Sequence, residues 1–447
     1  VLPTAPSLCE FATSNTMFTK AYANSTWTRP SNMSIMTSMI PTSHGMVDPI
    51  PNSLNPNIST LPEVLAKRGY TTRFVANDQP HISLEIGYGR IFQRRQLTGP
   101  VFDENTMYDW MLAIDKIKED NRRHKPAFVY FHTDHVHDYV ANLIHVPTEF
   151  PLDPGYKPAP LPQLRFTNET WDFTREYLKG FIRTYRVESV ITQYKAYLKD
   201  FETAASIHEA QVVFDRLPKD VQQDIERNLT ETLLNTPTYF SRAVPLYRHL
   251  YDEQIRTMDI AISQALGRIQ QNGLADNTII IITSDHGQLL GEHNLLGHIT
   301  GFSKEEIHIP FIIRVPGILP QTLNTLTQLI DIYPTLLDLV GIPIPKQTQG
   351  ISLKETMLGN PSTAPTNTYV IGHTTLPNLA YSIETDRWRL VENVYPEGLH
   401  RELYDLSTDP NETKSVASTQ QETVERLTKL LHTNIDSRPT YLPIAST

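Results

Sequence analysis

The run Thr278-Ile-Ile-Ile-Ile-Thr-Ser-Asp-His-Gly287 is the strongest constraint on what this chain can fold into. Consecutive β-branched residues favour extended backbone, and a strand that is apolar on both faces must be covered on both. That is the condition of a mostly parallel central sheet flanked by helices, the α/β class. Asp285 and His286 follow at the strand's carboxyl end, where open α/β sheets bind their ligands. Other segments repeat the texture. Ala127 to Phe131 and Phe311 to Val315 read as strands, and Leu61 to Arg68 reads as a helix that stops at Gly69 before a strand over Tyr70 to Ala76. The spacing of Met111, Leu112, Ile114 and Ile117 predicts a helix over Tyr108 to Asp120, and a further helix over Ile255 to Ile269 runs into the Thr278 strand.

These βαβ units predict a catalytic domain over residues 1–350, interrupted by a charged, aromatic, helical insertion over about Trp171 to Leu250. After Gly350 short strands at Tyr369 to Gly372 and Trp388 to Glu392 precede a helix from about Gln420 to His432, which predicts a C-terminal subdomain, 351–447, with a short antiparallel sheet. Pro-rich stretches at Val146 to Pro162 and Pro343 to Pro345 read as surface connections. The net charge of −10 argues against a nucleic-acid binder working through diffuse positive charge. Cys9 is the one cysteine, so neither an internal disulfide nor a zinc–thiolate cluster is expected. No signal peptide is visible in Val1 to Phe11, and sequons begin at Asn24, Asn57, Asn168, Asn228 and Asn411.

Three segments carry chemistry. In the first, Pro30 follows the polar run Asn24-Ser-Thr-Trp-Thr-Arg and precedes Met33, Ile35 and Met36, the pattern of a loop-to-helix junction where backbone N–H groups and the helix dipole favour an anion. The same residues also read as a Ser/Thr-capped helix, and Ser25, Thr26 and Ser31 compete with Thr28 as the reactive hydroxyl. In the second, a carboxylate and an imidazole side by side, Asp285 and His286, suit a divalent metal or simply a polar loop. The third ends the Ala127 strand with His132, His135 and His137, which by crowding alone could hold a metal.

The run from Thr28 through Pro30 and Pro41 to His44-Gly45, together with Ser284-Asp-His-Gly, Gly291-Glu-His and Gly297-His298, resembles the sulfatases of the alkaline-phosphatase superfamily. Gly69-Tyr-Thr-Thr, Tyr251-Asp-Glu-Gln, Asp331-Ile-Tyr-Pro-Thr and Leu403-Tyr-Asp-Leu look like family segments in the family's order. The resemblance implies a metal-dependent hydrolase of sulfate or phosphate esters, secreted or at the cell surface, acting on a small anionic ester, a sulfated or phosphorylated glycan or a lipid headgroup. It places Thr28 at the nucleophile position, with Thr28, Asp285 and His286 as ligands of a divalent metal, Ca²⁺ ahead of Mn²⁺ or Mg²⁺. It makes Thr28, His137 and His298 catalytic and Arg29, Asn32 and His135 substrate-binding, and leaves His132 structural and Glu292 and His293 as braces of their loop.

Departures from the family pattern matter. Thr carries a methyl where a hydrogen must leave, so no formylglycine is expected. Asn32 stands where the family has an arginine, and Asn77, Asp78 and Gln79 replace a Lys-x-His pair. These tilt the expectation toward phosphodiester chemistry by Thr28 itself. The family's acidic pair on a first strand is expected before residue 1, since Pro6-Ser-Leu-Cys-Glu-Phe already resembles the following helix. Two other readings stay open: a catalytically degenerate binding or surface protein, and a phosphoglycerol- or phosphoethanolamine-type transferase.

Overall fold

The computed structural model describes residues 4–47, 52–77, 88–98, 104–137, 175, 178–179, 188–218, 221–222, 237–298, 301–360, 364–376 and 378–445. The expected connection Val146 to Pro162, Asp78 and Gln79, the sequons at Asn168 and Asn228 and much of the helical insertion lie outside them. The chain divides into two compact units, residues 1–136 with 254–447, and residues 137–253.

The first unit opens with α1 (Pro6–Thr13), β1 (Thr16–Tyr22) and α2 (Thr28–Thr37). It continues with α3 (Leu61–Lys67), β2 (Thr71–Asn77), β3 (Arg94–Thr98), α4 (Glu104–Arg122) and β4 (Ala127–His132). Within the second unit the helices Glu188–Thr203 (α5) and Ile207–Phe214 (α6) pack Phe201, Ala210 and Phe214 into a small core. The helix α7 (Pro237–Gln271) extends well beyond the predicted Ile255 to Ile269 and leads to β5 (Ile280–Thr283), β6 (Phe311–Arg314) and β7 (Gln321–Gln328). Among the described residues no helix is long and apolar enough to cross a membrane.

Three sheets form. One runs in the order β7-β1-β6-β5 and another in the order β3-β2-β4. The second is wholly parallel. In the first, β1 and β7 are parallel, whereas β6 is antiparallel to both β1 and β5. The reversal has a local cause. A parallel neighbour requires a crossover of a dozen or more residues, usually helical, and between Thr283 and Phe311 the described helix of α type is only Lys304–Ile307. The chain therefore doubles back beside β5, and β1 and β5 point the same way. After α8 (Ile332–Leu339) the third sheet is an antiparallel meander of β8 (Val370–Thr374), β9 (Leu379–Glu384), β10 (Trp388–Tyr395) and β11 (Gly398–Asp405). Helix α9 (Gln421–Asp436) buries Leu427 and Leu431 against Ile383, Leu390 and Leu403.

The principal core brings Phe18 of β1, Met33 and Met36 of α2, Phe74 of β2 and Phe311 of β6 together. Every residue of α2 is buried. Two of its polar side chains find internal acceptors: Thr37 donates to the Met33 carbonyl at 2.7 Å and Ser31 to the Ser25 carbonyl at 3.1 Å. Burial also bears on the sequons. Asn24 is fully buried, its amide donating to Gln328 Oε1 and the Ile371 carbonyl, while Asn57 and Asn411 are exposed.

Candidate active site

The site is assembled where β1, β4 and β5 end. Beyond β1 a five-residue loop, 23–27, delivers Thr28 as the first residue of α2. The helix is capped by Trp27 in extended backbone, with no side-chain cap, so the N–H groups of the first turn remain directed outward from the helix end. Of the hydroxyls in this segment, Thr28 is the one that meets the second segment: Thr28 Oγ1 lies 3.3 Å from His286 Nε2. Thr26 instead pairs with Thr374 Oγ1 at 3.3 Å, and Ser31 is spent on the Ser25 carbonyl.

The loop after β5 is tightly specified. His286 Nδ1 lies 2.8 Å from the Gly287 carbonyl, and Ser284 Oγ donates to the His286 carbonyl at 2.6 Å. Because a carbonyl can only accept, Nδ1 carries the proton and Nε2 turns a lone pair toward the Thr28 hydroxyl. Gly287 donates its N–H to the Glu306 carbonyl at 2.7 Å, and a Cβ there would stand 2.1 Å from the Glu305 carbonyl oxygen. Only glycine fits so close an approach. Further along, Leu290 N–H donates to Glu292 Oε2 at 2.7 Å and His293 Nε2 pairs with Glu305 Oε2 at 3.3 Å, which brace the loop. His298 returns to the centre, its Nδ1 donating to the Thr26 carbonyl at 2.9 Å and its ring 4.3 Å from that of His286.

Asp285 accepts the His286 N–H on Oδ1 at 3.0 Å. Its Oδ2 is buried and takes no hydrogen bond. Burial alone would raise its pKa, but the neighbouring His286 and His132 and the nearby Thr28 hydroxyl outweigh burial and the repulsion of Asp134, and the carboxyl is held below its ordinary value. A buried carboxylate oxygen with no donor, one imidazole lone pair and one hydroxyl fit one flank of a divalent cation. Among the described residues no group of three or more His, Cys, Asp or Glu side chains encloses such an ion.

The strand β4 supplies the third wall, and here lie residues that sequence reasoning missed. Tyr130 donates its hydroxyl to Asn32 Oδ1 in a short contact. His132 Nε2 pairs with Asp134 Oδ1 at 3.1 Å. Burial opposes the imidazolium of His132, yet the Asp134 hydrogen bond and the charges of Asp134 and Asp285 raise its pKa. Tyr130 was hidden in an ordinary strand pattern; only its pairing with Asn32 marks it. His135 is buried in the turn that follows, its N–H bound to Thr133 Oγ1 at 3.1 Å, and His137 is exposed at that turn's end, where the second unit begins. Arg29 is 1% exposed and its charge reaches His44.

A profile of the sulfatase family matches residues 1–342, and one described as N-sulphoglucosamine sulphohydrolase, C-terminal, matches residues 291–440. Arylsulfatase K of Gallus gallus is 30% identical over 212 residues, which cover 45% of this chain and 39% of that protein. The chain thus spans well under half the length of the first curated relatives it matches. N-acetylglucosamine-6-O-sulfatase of Bacteroides thetaiotaomicron is 22% identical over 458 residues, covering 92% of this chain and 78% of its own. A solved protein in complex with its substrate D-glucosamine-2-N,6-O-disulfate superposes with a TM-score of 0.63 at 20% identity, over 97% of this chain and 94% of that one. A phosphonate monoester hydrolase of Silicibacter pomeroyi gives 0.57 at 17% identity, over 96% and 90%. At such identities the structural likeness establishes the alkaline-phosphatase-like α/β fold. The family match covers far more than half of the sequence, and this chain belongs to the sulfatase family.

Proposed function

We propose that this chain hydrolyses sulfate esters of sugars or glycans with the unmodified Thr28 hydroxyl as the nucleophile. One observation carries the reading: the contact between Thr28 Oγ1 and the lone-pair nitrogen of His286, at the N-terminus of α2, which has no side-chain cap. The substrate class is supported by relatives named for sugar sulfates, among them a Delta 4,5-hexuronate-2-O-sulfatase and an N-acetylglucosamine-6-O-sulfatase.

Thr28, Asp285 and His286 would hold the divalent cation, Ca²⁺ ahead of Mn²⁺ or Mg²⁺. When bound, it supplies Lewis-acid polarisation of the ester and favours the alkoxide form of the hydroxyl. The protein's own residues set direction and proton traffic. With Nδ1–H held by the Gly287 carbonyl, His286 Nε2 is the lone pair beside Thr28 Oγ1 that would ligate the cation with it, and the Thr28 proton passes to solvent. Thr28 Oγ then forms a bond to sulfur as the sulfur–oxygen ester bond breaks, and the alcohol leaves with the bonding electrons. His298, in its imidazolium form, keeps Nδ1–H on the Thr26 carbonyl and gives its Nε2 proton to the leaving oxygen, so that the group departs as a neutral alcohol. His137, in the turn after β4, and the substrate-binding residues Arg29, Asn32 and His135 stabilise charge on the transferring group. Water then attacks sulfur, giving a proton to the now neutral His298 Nε2, while the bond between sulfur and Thr28 Oγ breaks, sulfate leaves and Oγ regains its proton from solvent. An extracellular or cell-surface setting agrees with the exposure of Asn57 and Asn411 in their sequons.

A second reading, phosphoester hydrolysis, rests on Thr28 itself, because a threonine hydroxyl serves directly in phosphoryl transfer. Thr28→Ser and Thr28→Val separate reactive hydroxyl from mere packing. Turnover of an aryl sulfate should survive in Ser and vanish in Val; equal activity in all three forms would remove Thr28 from the reaction.

A further inference from the structure

Asn32 is wholly buried, yet its Nδ2 has no hydrogen-bond partner. Its other amide atom is committed, since Oδ1 accepts the Tyr130 hydroxyl. That bond fixes the amide: with Oδ1 turned to Tyr130, the two N–H bonds of Nδ2 face away from it. A buried amide donor without an acceptor is costly, and an apolar side chain of similar size would avoid the cost. The donor's position gives it a purpose. Asn32 lies four residues after Thr28 on α2, so both side chains project on one helix face. Tyr130 closes the same space from β4. Burial and the charge of Asp285 push its phenol pKa up, so Tyr130 stands within electrostatic reach of the carboxylate beside Thr28. The missing acceptor is therefore one that arrives at the end of α2, where first-turn N–H groups and the helix dipole favour negative charge.

We propose that Asn32 Nδ2 donates to a non-bridging oxygen of the bound sulfate group, and that Tyr130 is the positioning residue that turns the amide to do so. The assignment deepens the hydrolase reading and rests on the Thr28 site taking a sulfate ester. The pair is a neutral donor. It holds an oxyanion by direction, adding no charge next to Asp285 and His132. Tyr130 is itself held by ring contacts, its centroid 6.0 Å from Phe74 and 6.4 Å from Phe92, so its hydroxyl meets Asn32 from a fixed direction.

Inorganic sulfate is the probe. With asparagine-selective ¹⁵N labelling, the side-chain amide of Asn32, assigned by its loss in Asn32→Ala, is followed during sulfate titration. The expected result is a saturable shift of that resonance, with the sulfate Kd about tenfold weaker in Asn32→Ala, as loss of a hydrogen bond to a charged group implies. Tyr130→Phe should weaken binding by about as much while keeping its ring contacts and a single cooperative urea transition, because the orientation of the amide is lost. Sulfate that saturates the protein with the Asn32 resonance unmoved, an unchanged Kd in Asn32→Ala, or no sulfate binding by the wild type would overturn the assignment. An unchanged Kd in Tyr130→Phe alone would overturn the positioning role. The titration does not depend on turnover. A responding Asn32 with no hydrolysis of aryl sulfate sinks the hydrolase reading and keeps this one, and the opposite pair of results does the reverse.

Discussion

The Thr28 hydroxyl sits 3.3 Å from His286 Nε2, an imidazole nitrogen left with a free lone pair because Nδ1 is bound to the Gly287 carbonyl. If that lone pair holds the cation beside Thr28, His286→Ala should lower kcat/KM for an aryl sulfate by roughly 10²- to 10⁴-fold, several kcal/mol of lost Lewis-acid stabilisation. The circular dichroism spectrum should stay unchanged, since His286 contributes to a loop and to no strand. A loss below threefold would mean that the contact is incidental.

The loop that presents His286 depends on a residue with no side chain. A Cβ on Gly287 would meet the Glu305 carbonyl oxygen at 2.1 Å, a clash with backbone that no rotamer change relieves. Gly287→Ala should therefore lower unfolding free energy by about 1–3 kcal/mol, the cost of overpacking a well-filled site. It should also reduce turnover, because relief of the clash moves the segment that carries Asp285 and His286. Urea unfolding and kcat/KM check the two effects; wild-type values for both would show that the Glu305 backbone yields freely.

Acid should loosen the protein through two buried histidines beneath the site. Burial lowers the pKa of His44 to about 3 and that of His373 to about 4. In His44 the cause is visible: Met46 N–H donates to Nδ1 at 3.1 Å while Nε2 donates to the Pro30 carbonyl at 3.2 Å, an arrangement that the imidazolium cannot keep. Unfolded, both side chains titrate near pH 6.5, so below that pH the unfolded chain binds the additional protons. Their contribution is intact above about pH 6.5 and is lost as pH falls, at up to about 1.4 kcal/mol per pH unit for each histidine, until each folded pKa is reached. His373→Gln should flatten the stability-against-pH slope between about pH 6.5 and about pH 4 by the equivalent of one proton. An unaltered slope in urea titrations would show that His373 protonates without cost.

What could be read from the sequence was what neighbours in sequence determine. The isoleucine run became β5, with Asp285 and His286 at its end, because β-branched residues and a following Ser-Asp-His-Gly need no distant partner to be recognised. Glycine at 287 was legible as part of that motif, but the reason for it, the Glu305 backbone, was not. Strand β7, Gln321–Gln328, escapes the sequence because two of the three residues at its buried end, Thr327 and Gln328, are polar, which leaves little apolar signature where it pairs with β1. The antiparallel run of β6 likewise follows from the length of a connection and leaves no trace in strand composition. At the site, only motif register singles out Thr28 from Ser25, Thr26 and Ser31 in the sequence; in the structure Thr26 and Ser31 have separate partners. Tyr130 with Asn32 and His132 with Asp134 join atoms 98 and 2 positions apart in the chain. The first is invisible to any local pattern; the second was in view but without a hint of which His would take the carboxylate.

The central claim is that unmodified Thr28, beside Asp285 and His286, breaks a sulfate ester. The most direct test measures kcat/KM for an aryl sulfate and for a bis-aryl phosphate in the presence of Ca²⁺ or Mn²⁺, on wild-type protein shown by mass spectrometry to carry intact threonine at position 28, with Thr28→Val alongside. The account predicts turnover of the sulfate that exceeds turnover of the phosphate and falls at least about a thousandfold in Thr28→Val, as removal of a nucleophile does. Sulfate turnover that persists in Thr28→Val, or hydrolysis confined to the phosphate diester, would contradict it.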